Sequence, residues 1–299
     1  MRRKRGMSEP ALKIVIVARD QSSHVQKAQR RLSKILAEKD GIELVATLTT
    51  SDETIGDQDV DVALVVGGDG AILRACRWFE NEQIPILGVN LGRLGFLAEI
   101  AEDDVEVILD DLVERRYSVV SHLMFECIHR QADGKESCYH GLNEAAILAG
   151  ASLSLIDIEL SINGTEVTTF SGDGLIVSTP VGSTAHNLSA GGPILRQDLR
   201  AFVVTPICPH TLTVRPIVDR ADAEYRLTAD FVPDGVMLVV DGQIRVPFSS
   251  GDEVIVREAE ISFQLLRVEG YDFYGTLHRK LGWDGQPRYR RSRIPRQEH

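Results

Sequence analysis

Asp61-Val-Ala-Leu-Val-Val-Gly-Gly-Asp-Gly70 is the stretch on which the fold turns. The apolar run after Asp61 is β-branched, too short for a helix and suited to a strand buried on both faces. Gly67-Gly-Asp-Gly70 ends it, and a helical pattern follows from Ala71 to about Phe79. A glycine turn between a buried strand and a helix is where α/β sheets bind ligands. Glycine lets the backbone approach a phosphate closely, and a helix N-terminus adds partial positive charge. Asp69 is out of place in a pure anion cradle, because it repels phosphate. It suits removal of a proton from an attacking hydroxyl, or the holding of a metal. A tight turn with a helix-capping aspartate accounts for the same four residues equally well.

Outward from this loop, strand and helix alternate. Leu12 to Ala18 is a second apolar run. Ser22 or Ser23 can cap a helix reaching about Lys39, with Val25, Ala28, Leu32, Ile35 and Leu36 on one face. Strands are expected over Ile42 to Leu48 and Ile84 to Val89, and the alternation predicts a parallel, doubly wound sheet. After about residue 115 the pattern changes. Asp133-Gly134, Asn163-Gly164, Asp234-Gly235 and Asp241-Gly242 punctuate strand-like segments, which predicts hairpins and an antiparallel β domain. The block from Asp173 to about Pro209 is dense in Gly, Ser, Thr and Pro and reads as a loop-rich binding surface rather than core.

Composition narrows the function classes. The chain has 299 residues, 43% hydrophobic and 26% charged, as in a soluble globular protein of one or two domains. Its apolar runs fall short of the ~18–20 residues of a membrane span. The basic start from Arg2 to Arg5 has no apolar stretch after it, so secretion is not expected, and Met7 is an alternative start. Cys76, Cys127, Cys138 and Cys208 are scattered without a CxxC pair, as expected of free thiols in a reducing cytoplasm. A net charge of −11 argues against nonspecific nucleic-acid binding, and 6% aromatic residues leave few stacking platforms. Arg288, Arg290, Arg291, Arg293 and Arg296 form a basic tail, expected to be solvated or to serve polyanion or subunit contacts.

Three more segments stand beside the first glycine loop. Asn90-Leu-Gly-Arg-Leu-Gly-Phe96 is a second glycine loop after an apolar strand. Leu142-Asn-Glu-Ala145 sets an amide beside a carboxylate, a pair able to read two ribose hydroxyls. Asp173-Gly-Leu-Ile-Val-Ser-Thr-Pro-Val-Gly-Ser-Thr-Ala-His-Asn-Leu-Ser-Ala-Gly-Gly-Pro193 holds a strand, Leu175 to Val177, and a hydroxyl-rich loop.

Together and in this order, the four segments resemble the NAD kinase family over nearly the whole chain. The resemblance implies a Rossmann-like α/β domain over residues 1–115, an antiparallel β-sandwich domain over 116–268, and a C-terminal segment over 269–299. That last segment, around Tyr271 to Leu281, would return to pack on the first domain. It further implies transfer of the γ-phosphoryl group of ATP, with Mg²⁺, to the 2′-hydroxyl of NAD's adenosine ribose, with polyphosphate as another donor. Homodimers or homotetramers and a cytoplasmic location are also implied, with no nucleic-acid or membrane partner. Carried over residue by residue, Asp69 would be the general base, Gly68 and Gly70 would lie on the phosphate side, and Arg74 would face the phosphates. Asn143, Glu144, Asp173, Thr184, Ala185, His186, Asn187, Leu188, Ser189 and Gln243 would hold the nucleotide. Mg²⁺ would screen Asp69, Glu144 and Asp173 from the polyphosphate.

This chain departs from the family pattern at Ala71, usually threonine, at His186, usually tyrosine, and at Ser171, often arginine. Two other readings share parts of the pattern. A diacylglycerol- or sphingosine-type lipid kinase shares the first glycine loop but predicts membrane affinity. A non-catalytic dinucleotide sensor would have no need of Asp69.

Overall fold

The five-residue run Val62–Val66 is buried along its whole length because both faces of its sheet are covered. In the computed structural model, which describes residues 10–50, 53–56, 58–92, 95–150, 155–270 and 273–283, it is the strand β3 of a parallel sheet. The preceding elements are β1 (Leu12–Val17), α1 (Ser23–Glu38) and β2 (Ile42–Leu48); α2 (Asp69–Trp78), β4 (Ile86–Asn90), β5 (Ile100–Ala101) and α3 (Val105–Val113) follow. The order β4-β3-β1-β2 is parallel throughout. Alternation in β1 sorts the helices: Ile14 and Ile16 pack with α1 and α3, while Val15 and Val17 pack with α2. Ser22 caps α1, and Val25, Ala28, Leu32 and Leu36 form its buried stripe as the periodicity predicts.

The second half is a sandwich. Its strands are β6 (Tyr117–Arg130), β7 (Glu136–Gly141), β8 (Glu144–Leu148), β9 (Ile156–Ile162), β10 (Thr165–Gly172) and β11 (Gly174–Ser178). A short helix, α4 (His186–Ser189), precedes β12 (Ala201–Ile207), β13 (Ile217–Arg220) and β14 (Tyr225–Thr228). β15 (Met237–Val240), β16 (Ile244–Pro247), β17 (Glu253–Val268) and α5 (Phe273–Leu281) follow. One sheet runs β13-β12-β11-β8-β15-β16; the other contains β10-β9-β14-β17 with β6 and β7. Their inner faces meet in one apolar core containing Phe125, Ile147, Leu175, Val177, Phe202, Tyr225 and Leu238.

The two halves share a sheet. β17 pairs antiparallel with β6 along nearly its whole length, with a register break between Glu258 and Ser262. Beyond the break, Leu265 pairs parallel with Ile86 of β4, and Leu266 and Val268 join the α/β core. α5 sits on the α/β side, with Phe273 and Leu277 against Phe96 and Thr276 Oγ1 donating to Glu99 Oε1 at 3.0 Å.

Two expectations need correction. Three of the turn pairs close hairpins, but Asp234-Gly235 carries the chain from β14 in one sheet to β15 in the other. The block from Asp173 to Pro209 is not surface loop. It holds the central strands β11 and β12, and Ser178, Thr179, Ser183 and Asn187 are fully buried. Small polar residues tolerate burial here because they bond to backbone: Thr179 Oγ1 donates to Leu142 O, and Ser183 Oγ to Pro180 O at 2.6 Å. No helix among the described residues is long and apolar enough to cross a membrane. The segment from Arg2 to Met7, Tyr271 and the arginine-rich tail from Arg288 lie outside the described residues.

Candidate functional site

β3 delivers the glycine loop to the C-terminal edge of the parallel sheet. Gly67 has φ +140°, a backbone that favours glycine, and a Cβ there would meet the Ala71 Cβ at 2.9 Å. Gly68 caps α2, and the first helical turn leaves the N–H groups of Asp69 and Gly70 without intrahelical acceptors. The Ala71 N–H is occupied, donating to Gly68 O at 2.8 Å.

Asp69 is held by the second glycine loop. The N–H groups of Leu97 and Ala98 donate to its Oδ1, both at 3.0 Å, and that of Phe96 donates to Oδ2 at 2.8 Å. A carboxylate has about four lone-pair sites, so one remains open on Oδ2. The carboxylate lies so close to Gly95 that a Cβ there would stand 1.9 Å from Oδ1. Glycine is required at that position to seat the aspartate.

A polar clasp joins this loop to the sandwich. Gln243, on the β15–β16 turn, donates from Nε2 to Gly70 O at 3.0 Å and accepts from Arg77 Nη2. Arg77 Nη1 also pairs with Asp241 Oδ2 at 3.1 Å. Asp241 is buried and takes the backbone N–H groups of Leu142, Asn143 and Glu144. Burial pushes its pKa up, against the pull of those donors and of Arg77. Next to it Glu144 is 4% exposed, and among the described residues its Oε2 has no hydrogen-bond partner. Desolvation, reinforced by the Asp241 charge, raises the Glu144 carboxyl to about 8.

The hydroxyl-rich loop closes the third side. Thr179 N donates to Asn143 O at 2.9 Å, and Gly182 packs so tightly that a Cβ would stand 2.1 Å from that oxygen. Thr184, Ala185, His186, Leu188 and Ser189 follow at partly or fully exposed positions. Asn187 differs. Its amide donates to Ser183 O at 3.1 Å and Pro193 O at 3.0 Å and accepts from Thr205 Oγ1 at 2.6 Å. That side chain is fully buried and fastens the loop from within. His186 is half-buried, its pKa lowered by desolvation. It lines a cavity of about 400 Å³ with Leu148, Gly150, Met237, Val239 and Arg245.

Hydrogen bonds therefore connect the Gly68–Gly70 loop that carries Asp69, through Gln243, Arg77 and Asp241, to Asn143 and Glu144, and Gly182 packs the start of the hydroxyl-rich loop against Asn143 at the same junction. Arg74 is exposed one turn along α2, and its Nη1 would stand 3.9 Å from a Cβ on Gly70. Asp173 lies at the opposite end of β11 from Ser178, the cross-strand partner of Glu144, roughly 17 Å away at ~3.4 Å per residue. Its carbonyl accepts from Ala149 N at 2.8 Å, beside Gly150 at the far end of the His186 cavity. Arg77 and Asp241 were not singled out from the sequence. Asp241 read only as a turn residue, and a carboxylate gathering three N–H groups from a strand about a hundred residues away leaves no local signal.

Asp69, Glu144 and Asp173 do not converge into a three-ligand cluster. Mg²⁺ is commonly bound by one or two carboxylates together with substrate phosphates. The residues present therefore fit an ion that arrives bound to the phosphoryl donor rather than one held by a protein cage.

A glycine loop, a seated carboxylate and an antiparallel domain clasped against them define a two-domain phosphotransferase. Residues 11–117 match the ATP-NAD kinase N-terminal domain, and residues 142–268 the ATP-NAD kinase C-terminal domain. An NAD kinase of Rhodopirellula baltica is 43% identical over 274 residues, which cover 92% of this chain and 88% of that protein. One of Geobacter metallireducens is 41% identical over 223 residues, covering 75% and 79%. Among solved structures, an NAD kinase from Archaeoglobus fulgidus in complex with ATP is similar with a TM-score of 0.69 and 26% identity, covering 89% of this chain and 99% of that one. Yeast NADH kinase complexed with NADH shares the fold with a TM-score of 0.84 at 23% identity, covering 94% and 90%. The chain belongs to the NAD kinase family.

Proposed function

We propose that this chain transfers the γ-phosphoryl group of ATP to the 2′-hydroxyl of NAD's adenosine ribose, giving NADP and ADP. Asp69 carries the reading, as a carboxylate oriented by three N–H groups with one lone-pair site left beside the glycine loop. The ribose hydroxyl gives its proton to that site, its oxygen attacks the γ-phosphorus, and ADP leaves. General-base help of this kind is worth roughly 10²–10⁴-fold. Gly68, Gly70 and Arg74 lie on the phosphate side, where Mg²⁺ bound with ATP neutralises charge on the transferring group.

Glu144 and Asn143 hold the ribose. Glu144 retains a proton to near neutral pH, so it can donate to one hydroxyl, and its unpartnered Oε2 can accept from another. Neutral His186 and Thr184, Ala185, Leu188 and Ser189 line the base, Gln243 ties the glycine loop to the ribose side, and Asp173 meets the far end of the dinucleotide. Asn187 acts on this site by fixing the loop. The lipid-kinase and sensor readings lose support, since both domain matches are to NAD kinases.

The finer reading is a cytoplasmic homodimer or homotetramer, with ATP or polyphosphate as donor. Incubating the protein with Mg²⁺, NAD and either donor, then measuring NADP, tests it. NADP formation with at least one donor is expected. Its absence with both would return the sensor reading.

A further inference from the structure

Away from the junction of the glycine loop and the sandwich, the β6–β7 hairpin gathers a carboxylate, a thiol and an imidazole. Glu126 and His140 are direct cross-strand partners, and Cys138 precedes His140 by two residues, so all three share the face turned away from the sandwich core. One possible ligand atom from each lies within 4.8 Å of the other two. Cys138 Sγ is 3.4 Å from Glu126 Oε1. The other oxygen of Glu126 accepts from Arg257 Nε on β17, which fixes the carboxylate and leaves Oε1 towards the thiol.

We propose that Glu126, Cys138 and His140 form a Zn²⁺ site. Thiolate with imidazole selects Zn²⁺ over Mg²⁺ or Ca²⁺, which prefer oxygen alone. Three protein ligands with water in the fourth position complete a tetrahedron. Bonds of ~2.0–2.3 Å set neighbouring ligand atoms roughly 3.3–3.8 Å apart, so side-chain shifts of about 1 Å close the cluster. Arg257 then acts as the outer partner that orients the carboxylate, as such ligands commonly have. Its positive charge is offset by Glu126 itself.

On binding, the S–H bond breaks, the S–Zn bond forms and the proton passes to buffer. Affinity therefore rises with pH. β7 runs through Leu142 directly into Asn143 and Glu144. A bound ion ties β6 to β7 just upstream of those residues.

Chelator-stripped protein titrated with Zn²⁺ alone, in competition with a chromophoric chelator, tests the site; Co²⁺ reports thiolate ligation by absorption. A single equivalent is expected, with a thiolate-to-Co²⁺ band and a Zn²⁺-dependent rise in melting temperature. Cys138→Ser and His140→Ala should each weaken binding at least tenfold, and Cys138→Ser should abolish the band. Cys138 is exposed, so the serine variant leaves the core untouched. Absence of Zn²⁺ binding or of the Co²⁺ band in the unsubstituted protein overturns the proposal, as does unchanged affinity in Cys138→Ser.

Discussion

Asp241 Oδ1 accepts the backbone N–H of Glu144 at 3.2 Å, and its charge stands beside the Glu144 carboxyl. The same residue thus positions Glu144 and adds to the burial that keeps it protonated. The Glu144 pKa is raised from 4.5 to about 8, so the folded state holds a proton that the unfolded state has lost. That contribution is fully present below the unfolded pKa and is lost as pH rises through about 8. Melting temperature should fall between pH 5 and 8.5, and Glu144→Gln should flatten this slope. Thermal melts across that range on both proteins check it.

Removing one side of the clasp should be costly. Arg77→Ala leaves the buried Asp241 without its cation. Loss of one partner of a buried pair costs ~3–5 kcal/mol. Here we expect about 2–3 kcal/mol, because three N–H donors remain. Gln243→Ala, at an exposed position, should cost under about 1 kcal/mol. Urea unfolding separates the two.

Asp69→Asn should lower kcat at least ~10²-fold while NAD binding stays measurable. It should also destabilise, because an amide NH₂ would face at least one of the N–H groups of Phe96, Leu97 and Ala98. An unsatisfied buried donor costs ~1–3 kcal/mol. Steady-state kinetics, calorimetry and melts on the one variant read all three effects. Near-normal kcat would remove the base assignment.

Asn143→Ala and Glu144→Ala should weaken NAD binding far more than ATP binding, by ~1–3 kcal/mol for each lost buried hydrogen bond. Calorimetry with each nucleotide decides it. Equal losses would mean that the pair is structural or serves the donor.

His186 should titrate on the acid side of an ordinary histidine, whose value is ~6.5, because burial disfavours its charged form. NAD affinity should therefore be insensitive to this group above neutral pH and change only in acid. His186→Tyr should remove the acid-side change. Identical acid profiles in the two proteins would place His186 outside the nucleotide's reach.

Much of this was legible in local pattern. The strand before Gly67, the capped helix after Ser22 and the turns at Asn163-Gly164 and Asp241-Gly242 each follow from a few adjacent residues. At Asn163 and Gly164 both φ angles are positive, as that pair predicts. The misread block from Asp173 shows the limit. Ser178, Thr179, Ser183 and Asn187 look like surface residues until the partners that satisfy them are known, and Leu142 O and Thr205 Oγ1 are distant in sequence. The same holds for Asp69. Its type and place at a strand end announced chemistry, but the N–H groups that orient it come from a loop some thirty residues on.

The strand β17 makes the two halves mechanically inseparable. Leu265 borders β4, and Leu266 and Val268 fill the α/β core, so a fragment ending near residue 115 would present a bare sheet edge and a void. The halves are not beads on a string that can be severed or shuffled. The β6–β17 ribbon runs across both halves, and its ladder is interrupted at the register break between Glu258 and Ser262.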